Sequence, residues 1–324
     1  MKVLVTGAGG FIGSHLVERL VREGRDVRAF VRYNSRQDPG LLALLPRDVQ
    51  TTVEVIAGDL RDADAVSRSA RECEIIYHLG ALIAIPYSYL HPREVVETNV
   101  LGTLNVLMAA RQWEVQRLVH TSTSEVYGTA RYTPIDEMHP LQGQSPYSAS
   151  KIGADKLVES FHRSYGLPVV TVRPFNTYGP RQSTRAVIPT IITQALTVDA
   201  IRLGDVNTTR DFTFVADTVE GFWRASRAAG IEGQEINVGT DTEISINDLA
   251  RLICRLIGRE PVIEVDPQRL RPSASEVRQL WASPARSREL LGWSPATDLK
   301  TGLSLTIDWF RANLGRYRPG EYTV

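Results

Sequence analysis

Tyr147 and Lys151, in the run Tyr147-Ser148-Ala149-Ser150-Lys151, stand four residues apart. On a helix that spacing puts both side chains on one face, one turn from each other. An ammonium beside a phenol favours the phenolate, so the pair predicts a tyrosine that exchanges a proton near neutral pH. Upstream, Glu125 closes the hydroxyl-rich run Thr121-Ser122-Thr123-Ser124-Glu125, ahead of Val126-Tyr127-Gly128. A carboxylate at such a strand end is a second base. Two bases in one site suit oxidation at one carbon and proton removal at its neighbour.

A second constellation can hold an anion. The short β-rich run Val3-Leu4-Val5 leads into Gly7-Ala8-Gly9-Gly10-Phe11-Ile12-Gly13, followed by a helical pattern with apolar residues at 16, 17, 20 and 21 that ends at Gly24. Gly7 allows the tight turn, Gly10 lets the backbone approach a pyrophosphate, and Gly13 lets helix and strand pack closely. The next strand, Val27 to Val31, ends in Arg32-Tyr33-Asn34-Ser35-Arg36 with no acid for a ribose 2′-hydroxyl. Arg32 and Arg36 suit a 2′-phosphate, so NADP is expected, with NAD the alternative if Arg32 only stacks on adenine. Asp59 is read either as an acceptor for the adenine amino group or as the N-cap of a helix near 62–72. His78 reads as a packed strand residue.

Around these groups the elements alternate. Further strand candidates are Val53 to Ile56, Ile75 to His78, Arg117 to Thr121 and Val169 to Arg173, with helical patterns at 62–72, 93–112 and 147–165. That alternation predicts an α/β fold built on a doubly wound parallel Rossmann sheet. After Pro174 the rhythm changes to a Gly/Pro/Arg-rich loop, then helices at Pro189 to Thr197, at Asp217 to Ala229 with Asp217 as N-cap, at 245–257 closed by Gly258, and at Thr301 to Leu314. The expected division is a dinucleotide-binding domain over 1–175 with return segments near 211–240. A smaller interleaved α/β substrate lobe would come from 176–210 and 241–324.

Composition narrows the partners. Lys+Arg and Asp+Glu are 37 each, so no global basic field draws the chain to nucleic acid. No apolar stretch approaches a membrane span, and no signal peptide opens the chain. Cys73 and Cys254 are far apart, without a CxxC, and the six histidines show no HxxxH or HExxH pattern. No metal is expected. Two buried thiols in a cytoplasmic protein is the expected state.

Thr6-Gly7-Ala8-Gly9-Gly10-Phe11-Ile12-Gly13, Asp59, Asn99-Val100-Leu101-Gly102-Thr103, Tyr147 with Lys151, Arg173-Pro174-Phe175-Asn176-Thr177-Tyr178-Gly179-Pro180 and Arg210-Asp211-Phe212 together resemble the extended short-chain dehydrogenase/reductases of the nucleotide-sugar epimerase/dehydratase family. The resemblance covers nearly the whole chain. It implies a hydride cycle in which Tyr147 takes the proton of the sugar 4-hydroxyl, Lys151 holds the nicotinamide ribose and lowers the Tyr147 pKa, and Thr123 bonds the 4-oxygen. It also implies cofactor contacts from Phe11, Ile12, Leu60, Leu79, Ala81, Asn99 and Pro174. Helices 93–112 and 147–165 would pair two copies through a four-helix bundle.

Within that family, Glu125 before Val-Tyr-Gly resembles the 4,6-dehydratases, where it removes the C5 proton and the 6-hydroxyl leaves as water. The dTDP-glucose dehydratases carry an aspartate just before this glutamate; here Ser124 stands there, which leaves the acid step unassigned. The Thr-Ser-Glu run and the arginine after the second strand are similar to GDP-mannose dehydratases. The longer runs 81–88 and 140–147 are most similar to dehydratases of legionaminic-type pathways, which act on nucleotide-linked N-acetylglucosamine. A 4-epimerase is the alternative; a decarboxylase and a catalytically silent dinucleotide sensor stand behind it. The expected partner is a nucleotide-diphosphate sugar. Asn176, Arg210 and Arg271 are candidates for its phosphates, with Arg185, Glu276, Ser88 and Val187 as further substrate contacts.

Overall fold

Short aliphatic runs become strands where both of their faces can be covered. In the computed structural model, which describes residues 1–320, seven runs form one parallel sheet: β1 (Lys2–Thr6), β2 (Asp26–Arg32), β3 (Glu54–Gly58), β4 (Ile75–His78), β5 (Arg117–Thr121), β6 (Val169–Pro174) and β7 (Glu235–Val238). Their order is β7-β6-β5-β4-β1-β2-β3. Val3 lies opposite Val27 on one side and Ile75 on the other. Side chains alternate along each strand, so Val3 and Val5 enter one core while Leu4 enters the other. Helix α1 (Phe11–Arg22) and residues 215–225 cover the first face. α2 (Ala63–Ala70), α3 (Gly102–Gln112) and α4 (Pro146–Tyr165) cover the second. The sheet is the doubly wound Rossmann type read from the sequence. Strand order reverses between β1 and β4, where ligands bind outside the carboxyl ends.

After Pro174 the chain leaves the sheet, and it returns only for β7, a strand not singled out in the sequence. Around that return lie α5 (Val187–Thr197), α6 (Val215–Ala225), α7 (Ile246–Ile257) and α8 (Leu299–Asn313). Three small sheets join this region, among them 200–203 beside 262–265, and 209–210 between 244–245 and 279–280. Ser245 caps α7 by accepting from the Asp248 amide at 3.0 Å, and Gly258 closes it at φ +81°.

Three details differ from the sequence expectation. The stretch 93–112 is not one regular helix. It runs through Pro92–Val96, a π-turn at Glu97–Leu101 and then α3. The wider turn contains Asn99, whose amide reaches back to Leu82, and precedes Gly102, packed so closely on Leu60 that a Cβ would meet the Leu60 Cβ at 2.9 Å. Asp217 does not cap α6, which starts two residues earlier; its carboxylate accepts from the amides of Ala296 and Thr297 at 3.1 and 3.0 Å. Asp59 does not cap α2 either, because Asp62 does, accepting from Asp64 and Ala65.

Candidate active site

All the sequence-predicted chemistry lies at the carboxyl ends of the strands. Gly7 follows β1 with φ +68°, and a Cβ there would meet the Gly80 amide nitrogen at 2.7 Å. A Cβ on Gly13 would stand 2.2 Å from the Gly7 carbonyl oxygen, so helix and turn can close only around glycine. Gly10 is the exposed N-cap of α1, with no side-chain cap and no acid in the first turn. A Cβ on it would touch only the Gly7 oxygen. The open amides at this helix start suit a diphosphate. Leu79 and Ala81 flank Gly80 at the end of β4, Leu60 packs behind Gly80, and Pro174 ends β6. The residues present therefore fit a dinucleotide.

At the far edge, Asp59 holds Arg61 through both carboxylate oxygens, at 2.6 and 3.0 Å, and this bond keeps its carboxyl below the usual range. Arg32 is exposed and 3.3 Å from Glu94. Arg36 is exposed on the following turn. Asn99 is buried and binds the loop after β4. Its side-chain amide accepts from the Leu82 amide at 2.8 Å and donates to the Leu82 carbonyl and the Ser150 hydroxyl at 2.9 Å each. It pins the loop after β4 to the catalytic helix.

Ser145 and Ser148 form a capping box that fixes the first turn of α4, which holds Tyr147. Tyr147 is buried and hydrogen-bonded to Thr123, and Lys151 donates from Nζ to the Thr121 carbonyl at 2.7 Å. Burial pushes the Lys151 amine down to about 8, with Asp155 one turn further on acting against that fall. The phenol moves the other way from the sequence expectation. Burial raises the Tyr147 pKa, the Thr123 bond opposes the rise, and the carboxylates of Glu125 and Asp155 add to it. Desolvation of the phenolate is the largest of these influences.

Glu125 sits half-buried in a 3₁₀ turn at Ser124–Tyr127, which Thr123 caps by accepting from the Glu125 amide at 3.2 Å. Ser124 is buried inside that turn. Glu125 lines a cavity of about 300 Å³ together with Asn176, Arg185, Val187, Arg210, Arg271 and Glu276. Thus six substrate candidates, separated by up to a hundred residues in sequence, share one wall-to-wall space with the candidate base. Glu276 stands between the two arginines, 3.4 Å from Arg210 and 3.5 Å from Arg271. Arg210 is buried; burial works against its charge and Arg271 adds repulsion, while Glu125 and Glu276 favour it. Ser88 does not join them. It is wholly buried and its hydroxyl donates to the Ile85 carbonyl at 2.7 Å, whereas Pro86 of the same turn lines the cavity.

Several lining residues had not been picked out in the sequence: Leu203, Asp205, Thr208 and Arg269 among them. The short segments that hold them carry no periodicity or motif. Among the described residues no group of His, Cys, Asp and Glu could hold a metal, and no helix is long and apolar enough to cross a membrane. Trp293 is core, with its indole donating to the Asp217 carbonyl at 2.9 Å.

A dinucleotide cradle, a Tyr/Lys helix and a cavity over the strand ends define an extended short-chain dehydrogenase/reductase. The family model for GDP-mannose 4,6 dehydratase matches residues 4–306. The chain belongs to the nucleotide-sugar dehydratase/epimerase family. It is 36% identical to a UDP-glucose 4-epimerase of Mycolicibacterium smegmatis, covering 96% of this chain and 99% of that one. It is 35% identical to a dTDP-glucose 4,6-dehydratase of Streptomyces antibioticus, over 98% and 95% of the two chains. Among solved structures, DesIV, a dTDP-glucose 4,6-dehydratase from Streptomyces venezuelae with NAD and TYD bound, superposes with a TM-score of 0.87 at 30% identity, covering 98% of this chain and 99% of that one.

Proposed function

We propose that the protein is a nucleotide-sugar 4,6-dehydratase. A bound nicotinamide dinucleotide would supply the hydride acceptor at C4 and return the same hydride to C6, so none is consumed. Tyr147 accepts the 4-hydroxyl proton, guided by the Thr123 hydroxyl that already bonds it. Lys151 carries the nearby positive charge. Glu125 removes the C5 proton made acidic by the new 4-keto group, the 6-hydroxyl leaves as water after receiving a proton, and C5 takes a proton from solvent as the hydride returns to C6. With Ser124 buried in its turn, Glu125 is the carboxyl group available to return that proton. Arg210, Arg271 and Asn176 would hold the diphosphate, with Glu276 keeping the two guanidinium groups together.

The observation that carries this reading is Glu125 in the cavity wall, acting on Tyr147 from one side and Arg210 from the other. A 4-epimerase needs no base for C5. The similarity to the M. smegmatis epimerase keeps that second reading in view. Incubation with UDP-, dTDP- and GDP-linked glucose, mannose and N-acetylglucosamine, followed by mass spectrometry, separates the two. Loss of one water supports dehydration; an isobaric product on the same substrate removes it.

For the cofactor we favour NADP, because β2 ends without an acid and Arg32 and Arg36 stand there. NAD is supported by the pairing of Arg32 with Glu94, which competes with a 2′-phosphate, and by the NAD in DesIV. Titration with both dinucleotides decides it: an Arg32→Ala change that weakens NADP and leaves NAD unaltered supports the phosphate role. We also propose a homodimer through 92–112 and α4, where Val96, Leu101, Met108 and Tyr165 are exposed. A monomeric mass by light scattering would remove it.

A further inference from the structure

The face of α4 that carries Tyr147 and Lys151 continues one turn further to Asp155, at the same four-residue spacing. Asp155 is fully buried and accepts four hydrogen bonds. His120 Nε2 of β5 reaches Oδ1 at 3.2 Å, and the Ser122 hydroxyl reaches Oδ2 at 2.7 Å. Arg173 of β6 donates to the same oxygen from Nη2 at 3.0 Å and Nε at 3.3 Å. Arg173 is itself wholly buried, pairs with Glu235 of β7 at 2.8 Å and donates to the Tyr127 hydroxyl at 3.0 Å. Side chains from the end of β5 and from β6 thus hold one carboxylate of α4 behind the reacting pair.

We propose that Asp155 is a positioning residue of the site: its clamped carboxylate is the counter-charge that keeps Lys151 an ammonium aimed at the reacting face. This rests on the reading that Tyr147 and Lys151 serve hydride chemistry. The charges around Lys151 leave little else for that role. His78 of β4 and His120 of β5 are buried imidazoles that burial holds neutral, and each sits against a neutral hydroxyl or Asp155 itself. Arg173 is a further cation. Glu235 lies beyond Arg173, and Glu125 faces Tyr147 and Arg210. Asp155 is the carboxylate that acts on the Lys151 amine, against the burial that lowers it to about 8. Its own carboxyl stays ionised: burial works to raise its pKa, and the His120 bond with the Arg173 and Lys151 charges holds it well below the usual range. Arg173 is compensated by direct pairs with Asp155 and Glu235, while Lys151 reaches the Thr121 carbonyl, between His120 and Ser122 that hold Asp155.

The chain has four lysines, Lys2, Lys151, Lys156 and Lys300, so the Lys151 side chain can be followed by carbon NMR of labelled lysine without any turnover. In Asp155→Asn the Lys151 titration should move about one pH unit lower. At pH 8 that takes the charged fraction from about half to about a tenth, roughly a fivefold loss. With an active substrate, the alkaline limb of the kcat profile should move with it and KM for the sugar should change little. Glu235→Gln, which removes a carboxylate from Arg173 only, should leave the titration in place. If Asp155→Asn does not fold, the double variant Asp155→Asn/Arg173→Met removes the buried pair together and gives the same reading. An unmoved Lys151 titration in a folded variant overturns the proposal. A moved titration in a chain that turns over no nucleotide sugar upholds it and condemns the functional reading instead.

Discussion

Replacing Glu125 by glutamine changes one oxygen for an amide and leaves the 3₁₀ turn intact, because Thr123 caps that turn through the Glu125 backbone amide. Glutamine cannot take a proton from C5. Loss of a positioned general base costs about 10²–10⁴ in rate, or roughly 3–5 kcal/mol of barrier. Oxidation at C4 should fare differently. The Glu125 charge is one of the influences holding the Tyr147 phenol proton on, so its removal eases that step. The variant should therefore divide the reaction: water loss falls at least a hundredfold, while the near-ultraviolet band of reduced nicotinamide develops on mixing with substrate. Run in heavy water, the wild type should incorporate deuterium at C5 and the variant should not. Full water loss with C5 exchange in Glu125→Gln would take the base role away from Glu125. Loss of both the absorbance and the elimination would move its function back to C4 or to substrate binding.

Three further outcomes follow from the geometry. On the proposed diphosphate role, Arg271→Ala would remove one charge-assisted contact, about 1.5–3 kcal/mol, so steady-state kinetics should give a KM raised roughly tenfold to a hundredfold with kcat nearly kept. Gly13→Ala puts a methyl 2.2 Å from a backbone oxygen and 2.9 Å from the Ala8 Cα; at about 3 kcal/mol of overpacking the thermal midpoint should drop by roughly 4–5 °C. His120 is buried with its pKa lowered from 6.5 to about 4. The unfolded chain takes up that proton first, so stability is full above about pH 6.5 and declines as pH falls toward about 4, by about 3 kcal/mol from this residue. Urea unfolding followed by circular dichroism at pH 7 and pH 4.5 measures the slope, and His120→Gln should flatten it.

What could be read from the sequence was whatever a local rule encodes. Gly7, Gly10 and Gly13 are fixed by the turn and helix start that they build. Tyr147 and Lys151 are linked by helical spacing, and the strand runs by alternation and apolar content. Residues that meet only through the fold stayed hidden. Asp155, His120, Ser122 and Arg173 come from three elements, and Leu203, Asp205 and Arg269 come from a four-residue strand, a loop and a short 3₁₀ turn with no repeat. Ser88 was lost for the converse reason, since a single turn at Ile85 aims its hydroxyl inward and presents Pro86 instead. The direction of the Tyr147 shift was also out of reach. Spacing gives the lysine beside the phenol, but the desolvation that opposes it depends on the whole site closing over α4.

The last difference bears on how such a site works. A tyrosine kept protonated by burial is an inert base until a positive charge arrives close to it, and Lys151 alone, lowered by the same burial, cannot fully supply one. The buried carboxylate of Asp155 acts on both groups in the same sense: it holds the proton on Tyr147 and on Lys151. With the sugar and dinucleotide in place, the cation of the oxidised nicotinamide would add to Lys151 and tip the phenol toward release. Proton uptake by solvent before substrate binds is thereby suppressed, and the step is tied to a filled site. If so, ultraviolet titration of the free protein should find no tyrosinate from Tyr147 below pH 10, and addition of oxidised dinucleotide should bring that titration down. Comparison with Tyr147→Phe identifies the band. A Tyr147 that ionises equally with and without dinucleotide would break the link between burial, cofactor charge and base strength.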